Sequence, residues 1–351
     1  MREIFRIFLP FSVFFSVFVS AFFFSNPALS QSAEGVLAEL ETSKQEASED
    51  IGKTDAQFVA FNKNHLLVTY LDFSFYSFYL GAPDINGSSY LPNYAPKIGI
   101  QYGYRGIMMK FTVPLGSPSD EIDRRGPSKE SGYILSRHWR SLGVDLYYQS
   151  YKGLYAHKPM ADFSNDRPRR FPQLPDAHVL NFGVNVYHVL SPDSYSLQAA
   201  FSQTELQTAS GGSWLLNAFY NHVQLSTGNI FLPGTDPTAP TAPPDIHSGI
   251  FDTLGAGGGF GYAYIDGKIF AVAQGVLGLG IQYQRVAQNS DGPSEQLSPA
   301  INLSANVSAG VNEGTYLWGI RGFWYSLSSR VRDVQIASNT VSGQIFLGGR
   351  F

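Results

Sequence analysis

The sequence predicts an all-β fold: a transmembrane antiparallel up-and-down β-barrel of about 12–14 strands that follows a cleaved signal peptide. Segments of alternating apolar and polar residues recur along most of the chain, and tyrosine and tryptophan concentrate toward the segment ends. Charged residues make up only 15% of the 351 residues, whereas a typical soluble domain contains about 25%. A mean hydropathy of −0.09 agrees with a barrel, because polar lumen-facing residues alternate with apolar lipid-facing ones.

The first part of the chain, residues 1–30, is the predicted signal peptide. Arg2 and Arg6 precede an apolar run, and Ala28–Ser30 offers a small-residue cleavage site at its end. A retained transmembrane helix is the alternative, since the run is about long enough to span a bilayer. Pro10 and the serines within the run favour removal instead. We therefore predict an exported chain whose mature form begins after this site.

Residues 31–61 are the predicted acidic periplasmic lead-in, a flexible segment with few aromatic residues. The alternative is a short helix around Val36–Leu40 that acts as a plug or binds a partner, but its apolar face is short for stable packing. The formal net charge of −4, from 24 basic and 28 acidic side chains, argues against a nucleic-acid-binding surface. The chain has no cysteine, which excludes disulfides, thiolate metal sites and a lipid-modified N-terminal cysteine.

The predicted barrel covers residues 62–351, and its clearest element is a hairpin over Ile134–Tyr155 that turns near Arg140. Tight turns are also predicted near Gly106 and at Asp266-Gly267. The other predicted strands are Leu67–Tyr79, Lys97–Arg105, Ile107–Val113, Phe182–Tyr187, Tyr195–Phe201, Trp214–Leu225, Leu254–Ile265, Ile269–Tyr283, Ile301–Val311, Tyr316–Leu327 and Val341–Phe351.

The connections between these strands tend to alternate between short turns and longer polar loops, such as Gly116–Ser131 and Ala287–Ser298. This asymmetry is typical of outer-membrane barrels. A large soluble β-sandwich or a solenoid is the rival fold. The predicted strands exceed the five or six residues usual in soluble sheets, and no repeat period typical of a solenoid is visible. The pattern therefore favours the barrel.

Charged residues at the polar phase of the strands are predicted to face the lumen, because a lipid-facing Lys or Arg costs about 2–4 kcal/mol at the bilayer midplane. The candidates are Lys97, Arg105, Lys110, Arg137, Asp145 and Arg321. Two interpretations stay open: the charges form cross-strand ion pairs that fill the barrel, or they form a selectivity ring. For a narrow open lumen, the positive charges on the first two short strands predict a weak preference for anions.

Three stretches of the sequence look familiar: YLPNYAPKIGIQYGYRG (Tyr90–Gly106), LYYQSYKGLY (Leu146–Tyr155) and FSQTELQTASGGSWL (Phe201–Leu215). Together they resemble domain-of-unknown-function family 4421, a family of bacterial outer-membrane proteins. The resemblance covers most of the chain from residue 65 onward and is looser after Gly228. It implies an outer-membrane β-barrel of unassigned activity and supplies no catalytic residues.

The sequence favours a narrow passive channel or transport conduit for small hydrophilic solutes. The alternative is a structural or surface-interaction barrel whose long loops bind a partner. A hydrolase is a distant third class: His222, next to Asn221 on a strand that begins near Ser213, is the best local candidate, but no serine is marked as its nucleophile. We therefore predict no enzyme and no catalytic residues. No close pair of histidines with an adjacent carboxylate suggests a metal site, and no cofactor is predicted.

The predicted location is the outer membrane of a Gram-negative type of envelope, and the predicted partners are its lipid and the barrel-assembly machinery. The second partner rests on Phe351, because a terminal aromatic residue on a strand resembles the C-terminal assembly signal of outer-membrane barrels. Gly349 departs from the apolar residue expected two positions earlier. No nucleic-acid partner is predicted.

Overall fold

The computed structural model describes residues 57–61, 63–82, 85–157, 171–231, 246–288, 292–331 and 334–351. In these ranges the chain is dominated by antiparallel strands, with one short helix, α1 (Ser119–Arg125), and one π-helical turn (Gln198–Ser202). The strands are β1 (Phe58–Ala60), β2 (His65–Ala82), β3 (Ile85–Leu91), β4 (Lys97–Tyr104), β5 (Ile107–Pro114), β6 (Lys129–His138), β7 (Leu142–Ala156), β8 (Gln173–Val189), β9 (Glu205–Gln207), β10 (Gly211–Phe231), β11 (Ile246–Asp266), β12 (Ile269–Gln288), β13 (Gly292–Asn312), β14 (Tyr316–Val331) and β15 (Val334–Arg350).

Twelve of these strands form a closed up-and-down barrel, which confirms the predicted fold class and the lower end of the predicted strand number. Each wall strand pairs with its neighbours in chain order, and β15 pairs with β2 from Gln335↔Gly81 to Arg350↔Leu66. The predicted hairpin is confirmed as β6 and β7. The turns predicted near Gly106 and at Asp266-Gly267 also lie between paired strands.

Alternation places apolar side chains on the outside of the wall and polar ones inside. On β13, for example, Val307 points outward with 54% of its surface exposed, whereas its neighbour Asn306 lines the lumen. Outward leucines and isoleucines such as Leu279, Leu297 and Ile320 are 67%, 70% and 61% exposed. Soluble proteins rarely expose such a continuous apolar surface, and an apolar outer band is the signature of a transmembrane barrel.

The wall is uneven, because β4, β5 and β6 have only 8, 8 and 10 residues while the longest wall strands have 21. The small strand β3 lies above these three strands and bridges β2 to β7, through Phe78↔Tyr90 and Leu91↔Tyr155. We call the part of the wall between β3 and the three short strands the notch. Residues 92–96 and 115–128 occupy it, and Asn93 Nδ2 donates a hydrogen bond to Gly126 O (3.0 Å).

Two ends of the barrel can be distinguished by their connections. The short-turn end carries the turns at 105–106, 139–141, 267–268 and 313–315, together with the first residue of β2 and the last of β15. The opposite, long-loop end carries residues 115–128, the last residue of β7 with the first of β8, and the last residue of β10 with the first of β11. Two connections there are short, because β12 and β13 continue from Gln288 to Gly292 and β14 and β15 from Val331 to Val334.

Several boundary predictions were wrong. The predicted loop Ala287–Ser298 is mostly strand, because β12 and β13 extend past the apolar band and carry polar outward residues there; Arg285 is one of them. The predicted strand Tyr195–Phe201 is instead part of a connection that folds into the lumen. Residues 57–61 of the lead-in include the paired strand β1. The predicted signal peptide and the rest of the lead-in lie outside the described residues.

No helix in the part of the chain that the structure describes is long and apolar enough to cross a bilayer.

Candidate functional site

Two apolar clusters fill the lumen toward its two ends. The upper cluster lies toward the long-loop end, where Phe78 of β2 approaches Phe251 of β11 with ring centroids 6.4 Å apart. The lower cluster lies toward the short-turn end and includes Tyr70, Tyr195 and Phe346. Between them, the inward positions are mainly polar. We call this zone the polar layer, and it holds most of the lumen-facing charges.

A cavity of about 160 Å³ lies in the polar layer and is lined by residues of β5, β6, β7, β8, β12, β13, β14 and β15. Lys110 and Arg321 line it from opposite parts of the wall. Lys110 is 9% exposed. Arg321 Nη1 donates to Gln101 Oε1 on β4 (3.0 Å), and its guanidinium carbon lies 5.0 Å from the centroid of the Phe346 ring.

A smaller cavity of about 50 Å³ continues from this one toward the notch and shares Lys110 and Thr340 with it. Lys97 lies there, with its ammonium ion-paired to Glu130 and hydrogen-bonded to Ser74 Oγ. The Lys97–Glu130 pair therefore stands where the polar layer reaches the notch.

Asp145 takes part in a chain of hydrogen bonds on the wall of the larger cavity. Its Oδ1 lies 2.9 Å from His138 Nε2, and His138 Nδ1 lies 2.7 Å from Ser202 Oγ. This connectivity is that of a Ser-His-Asp triad. However, Ser202 is 0% exposed and does not line the cavity. In this conformation its hydroxyl joins the π-helical turn to the barrel wall.

The connection between β8 and β10, residues 190–210, forms a plug at the short-turn end, and we call it the plug segment. Its Tyr195 is fully buried and donates a hydrogen bond from its hydroxyl to Gln274 Oε1 on β12 (3.2 Å). Burial raises the pKa of the Tyr195 phenol, so the group stays a neutral donor. Leu197 and Phe201 of the same segment line the central cavity from below.

Polar tethers hold the plug segment against the barrel. The backbone N–H of Gly106 donates to Thr204 Oγ1 (2.9 Å), and Arg350 Nη2 donates to Gln203 O (2.7 Å). Arg140 pairs with Glu205, at 2.5 Å between Nη2 and Oε1. On the other side β9 pairs with β1, so the end of the lead-in and the plug segment form one small two-stranded sheet.

The structure places four of the six predicted lumen residues inside the barrel and two outside. Lys97, Lys110, Asp145 and Arg321 line the two cavities. Arg105 is exposed at the β4–β5 turn, where a φ of 45° redirects its side chain over the Tyr104 ring. Arg137 points outward, since its strand neighbours Ser136 and His138 point inward, and it stacks on Trp139 at 4.6 Å. Arg105 leaves the alternation of β4 at the turn, and Arg137 is one position out of phase with the inward residues of β6.

His222, the predicted local candidate for catalysis, lies on the outside of the barrel. Its Nδ1 is 2.8 Å from Asp252 Oδ1, and the Tyr220 hydroxyl donates to the same oxygen (2.7 Å). This group faces away from the lumen, because Asn221 between them points inward and donates to the Tyr147 hydroxyl (2.8 Å).

Four residues in or next to the polar layer were not predicted as site residues from the sequence: Gln101, Glu130, His138 and Ser202. Gln101 could have been found from the alternation of β4, since it shares the phase of Lys97. Ser202 could not, because the plug segment has no period that indicates its burial. Within the described ranges, no group of three or more His, Asp or Glu side chains is arranged to hold a metal ion.

Several solved structures have a similar overall shape. The Escherichia coli outer membrane protease OmpT is 10% identical, with 84% of this chain and 99% of that chain covered and a TM-score of 0.38. The β domain of the Bordetella autotransporter BrkA is 9% identical, with coverages of 83% and 100% and a TM-score of 0.35. The Ralstonia pickettii toluene transporter TbuX is 10% identical, with coverages of 83% and 90% and a TM-score of 0.28. At these similarities the neighbours carry no information on the activity of this chain.

No curated protein matches the sequence. The profile of one protein family, described as Domain of unknown function (DUF4421), matches residues 53–351, which include the whole barrel and the β1 strand that pairs with the plug segment. The resemblance predicted from the three sequence stretches is confirmed, and the chain belongs to this family.

Proposed function

We propose that this barrel is a gated conduit for small hydrophilic solutes in an outer membrane, and that the structure corresponds to its closed state. The route runs from the short-turn end, past the plug segment, through the polar layer and out at the notch. Two closures block it: the plug segment at one end and, at the other, the Lys97–Glu130 pair together with residues 92–96 and 115–128, which occupy the notch.

The observation that carries this proposal is the pair of cations in the polar layer. Lys110 and Arg321 both line the central cavity, and neither forms an ion pair with a carboxylate among the described residues. A buried charge without a partner costs several kcal/mol (about 3–5 when a pair is broken). Unpaired buried cations are therefore not expected in a barrel that is filled only for stability. They are expected in a solute pathway, where they contact the solute.

The plug segment is suited to a gate because polar groups at the barrel rim hold it. The bonds from Gly106 and Arg350 end on Thr204 and on the backbone of Gln203. The first bond is partly buried and the second is buried; such bonds contribute about 0.5–1.5 kcal/mol each, or about 1.5–3 kcal/mol with a charged donor. Displacement of the segment therefore leaves the twelve-strand wall and its backbone hydrogen bonds intact.

The outer-membrane location is part of the same proposal. The outward apolar side chains fit a bilayer, and the predicted signal peptide at residues 1–30 supplies the export route. Phe351 hydrogen-bonds through its backbone to His65, and the residue is 63% exposed at the end of β15. An exposed terminal ring on a strand is accessible to the barrel-assembly machinery. We assign no enzymatic role, because Ser202, the serine joined to His138 and Asp145, is fully buried.

The conduit is tested by removing both closures and measuring conductance in a planar bilayer. Ser194 O lies next to Gly211, so a short Gly-Ser linker can replace residues 195–210 and join β8 to β10. The test variant combines this replacement with Lys97→Ser and Glu130→Ser and with a short Gly-Ser linker in place of residues 116–127, which joins the paired strands β5 and β6 and opens the notch. We expect stepwise conductance from this variant and little from the intact chain, because water then fills the polar layer from one end to the other.

The matched control replaces two exposed charges of the short-turn end, Arg105→Ser and Lys268→Ser, and should behave like the intact chain. Folding of each variant is checked by its heat-modifiable mobility on a gel. A folded test variant that conducts no better than the control would reject the conduit.

A second function, a closed barrel that acts through its surface, is favoured by a different observation. The upper cluster packs fully buried aromatic residues such as Tyr76 and Tyr90 across the lumen. Such packing stabilises a filled barrel, as burial of each large apolar side chain contributes about 1.5–3 kcal/mol. Absence of conductance in the test variant would leave this interpretation standing.

A further inference from the structure

We propose that Lys110 and Arg321, whose guanidinium is held by Gln101, form a binding site for a small oxyanion, a carboxylate or a phosphate. This inference rests on the proposed function in one respect: the conduit supplies the route by which the anion reaches the lumen. The site itself stands on two cationic side chains without an ion pair among the described residues, Lys110 and Arg321, which line the central cavity.

Lys110 supplies the first donor. Its side chain is more than nine-tenths buried and lines the central cavity, and its ammonium has no hydrogen bond or ion pair to another described residue. An ammonium group has three donors and no acceptor. A negatively charged ligand in the cavity would satisfy it.

Arg321 supplies further donors, and Gln101 orients its guanidinium. Arg321 Nη1 donates to Gln101 Oε1 (3.0 Å), which fixes the orientation of the amide, since a flipped amide would place its NH₂ group against the guanidinium. With this orientation, Arg321 Nε and Gln101 Nε2 are both buried and have no acceptor among the described residues. Unsatisfied buried donors are rare in folded proteins and require an explanation. An oxyanion accepts from several donors at once.

The carboxylates of the polar layer are already engaged elsewhere. Asp145 pairs with His138 at 2.9 Å, Asp72 accepts from Ser342 Oγ at 2.6 Å, and Glu130 pairs with Lys97. Three carboxylates therefore stand beside the three cations Lys97, Lys110 and Arg321, so the net charge does not define the site. The unsatisfied donors define it.

The cavity limits the size of the ligand. Its volume is about 160 Å³, and a cavity of about 150 Å³ holds a molecule the size of benzene. Inorganic phosphate and a short dicarboxylate such as succinate fall in this range. A guanidinium binds both groups through paired N–H donors, so the two chemistries are separated by experiment.

The test is isothermal titration of the full chain, refolded in a neutral detergent, with succinate and with inorganic phosphate. Succinamide serves as the neutral counterpart of succinate. We expect binding of at least one anion and none of succinamide. The variant Lys110→Met, which keeps the length of the side chain and removes the charge, should weaken binding about 10- to 100-fold, as expected for loss of a hydrogen bond to a charged group.

A second variant, Gln101→Glu, places a carboxylate next to Arg321 and should abolish binding without a change of side-chain size. The matched control is Arg105→Met, an exposed arginine in the turn that follows the strand of Gln101, and it should bind like the intact chain. Binding of succinate alone identifies a carboxylate site, and binding of phosphate alone identifies a phosphate site.

The proposal is overturned if the folded intact chain binds neither anion, or if Lys110→Met and Gln101→Glu bind as tightly as the control. Failure of the conduit is distinguishable from failure of the site. Anion binding with no conductance in the variant that lacks both closures would reject the conduit and keep the site. Conductance without anion binding would reject the site and keep the conduit.

Discussion

One step along a strand decides whether a side chain contacts lipid or the lumen. Val307 and Asn306 are adjacent on β13, yet the first is 54% exposed on the outside and the second lines the central cavity. Adjacent strand residues point to opposite faces, so the two positions report on environments of opposite polarity within the same backbone.

An arginine at each of these positions should therefore have different effects. Val307→Arg is expected to cost about 2–4 kcal/mol, because the charge faces the hydrocarbon. Asn306→Arg should change stability little, since the side chain enters the polar layer. The measurement is a urea titration of folding into lipid bilayers. Equal losses for the two variants would mean that β13 is buried on both sides and is not part of a barrel wall.

At the scale of the elements, two turns at the same end of the barrel impose different demands on their glycines. Gly106, between β4 and β5, has a φ of 85°, and a Cβ there would lie 2.2 Å from His138 O. Gly267, between β11 and β12, has a φ of 58° and open space around it. Glycine is required at position 106 by both the backbone conformation and the close packing, and at position 267 by the backbone conformation alone.

We expect Gly267→Ala to cost about 1–2 kcal/mol of unfolding free energy, the penalty of a left-handed conformation. Gly106→Ala should cost clearly more, because the β4–β5 turn must also move away from His138 and release its bond to Thr204. Urea-induced unfolding of the two variants gives the comparison. A larger loss for Gly267→Ala than for Gly106→Ala would contradict this account of the turn.

The long strands could be predicted from the sequence, but the plug segment and β3 could not. Alternation reports that a segment has two faces, and Ile301–Val311 shows it clearly because lipid and lumen differ so much in polarity. Tyr195 and Leu197 also alternate, yet both are fully buried, since the plug segment packs inside the barrel. The apolar side chains of this alternation contact the lumen wall instead of lipid. β3 pairs only through short ladders and has no regular alternation to reveal it.

At the scale of the whole molecule, barrel closure determines which side chains meet in the lumen. Arg321 and Gln101 are 220 positions apart in sequence, and their hydrogen bond exists because β15 pairs with β2. The strand phase could predict that Arg321 faces inward. It could not predict that Lys97 pairs with Glu130, or that Lys110 has no carboxylate partner, because these facts depend on depth and on the curvature of the closed wall.

Closure also fixes which connections share an end, and this predicts the orientation in the membrane. Lys268 lies at the short-turn end and Ser119, the first residue of α1, at the long-loop end, and both are exposed. Outer-membrane barrels place their short turns in the periplasm and their longer loops outside. Since the chain contains no cysteine, a single introduced cysteine is the only target for a maleimide.

In intact cells, a membrane-impermeant maleimide should label Ser119→Cys and leave Lys268→Cys unlabelled. Lys268→Cys should become labelled once the outer membrane is permeabilised, because the reagent then enters the periplasm. Labelling of both variants in detergent controls for the accessibility of the thiols. The reverse pattern would mean an inverted barrel, and equal labelling of both in intact cells would mean that the chain does not span the outer membrane.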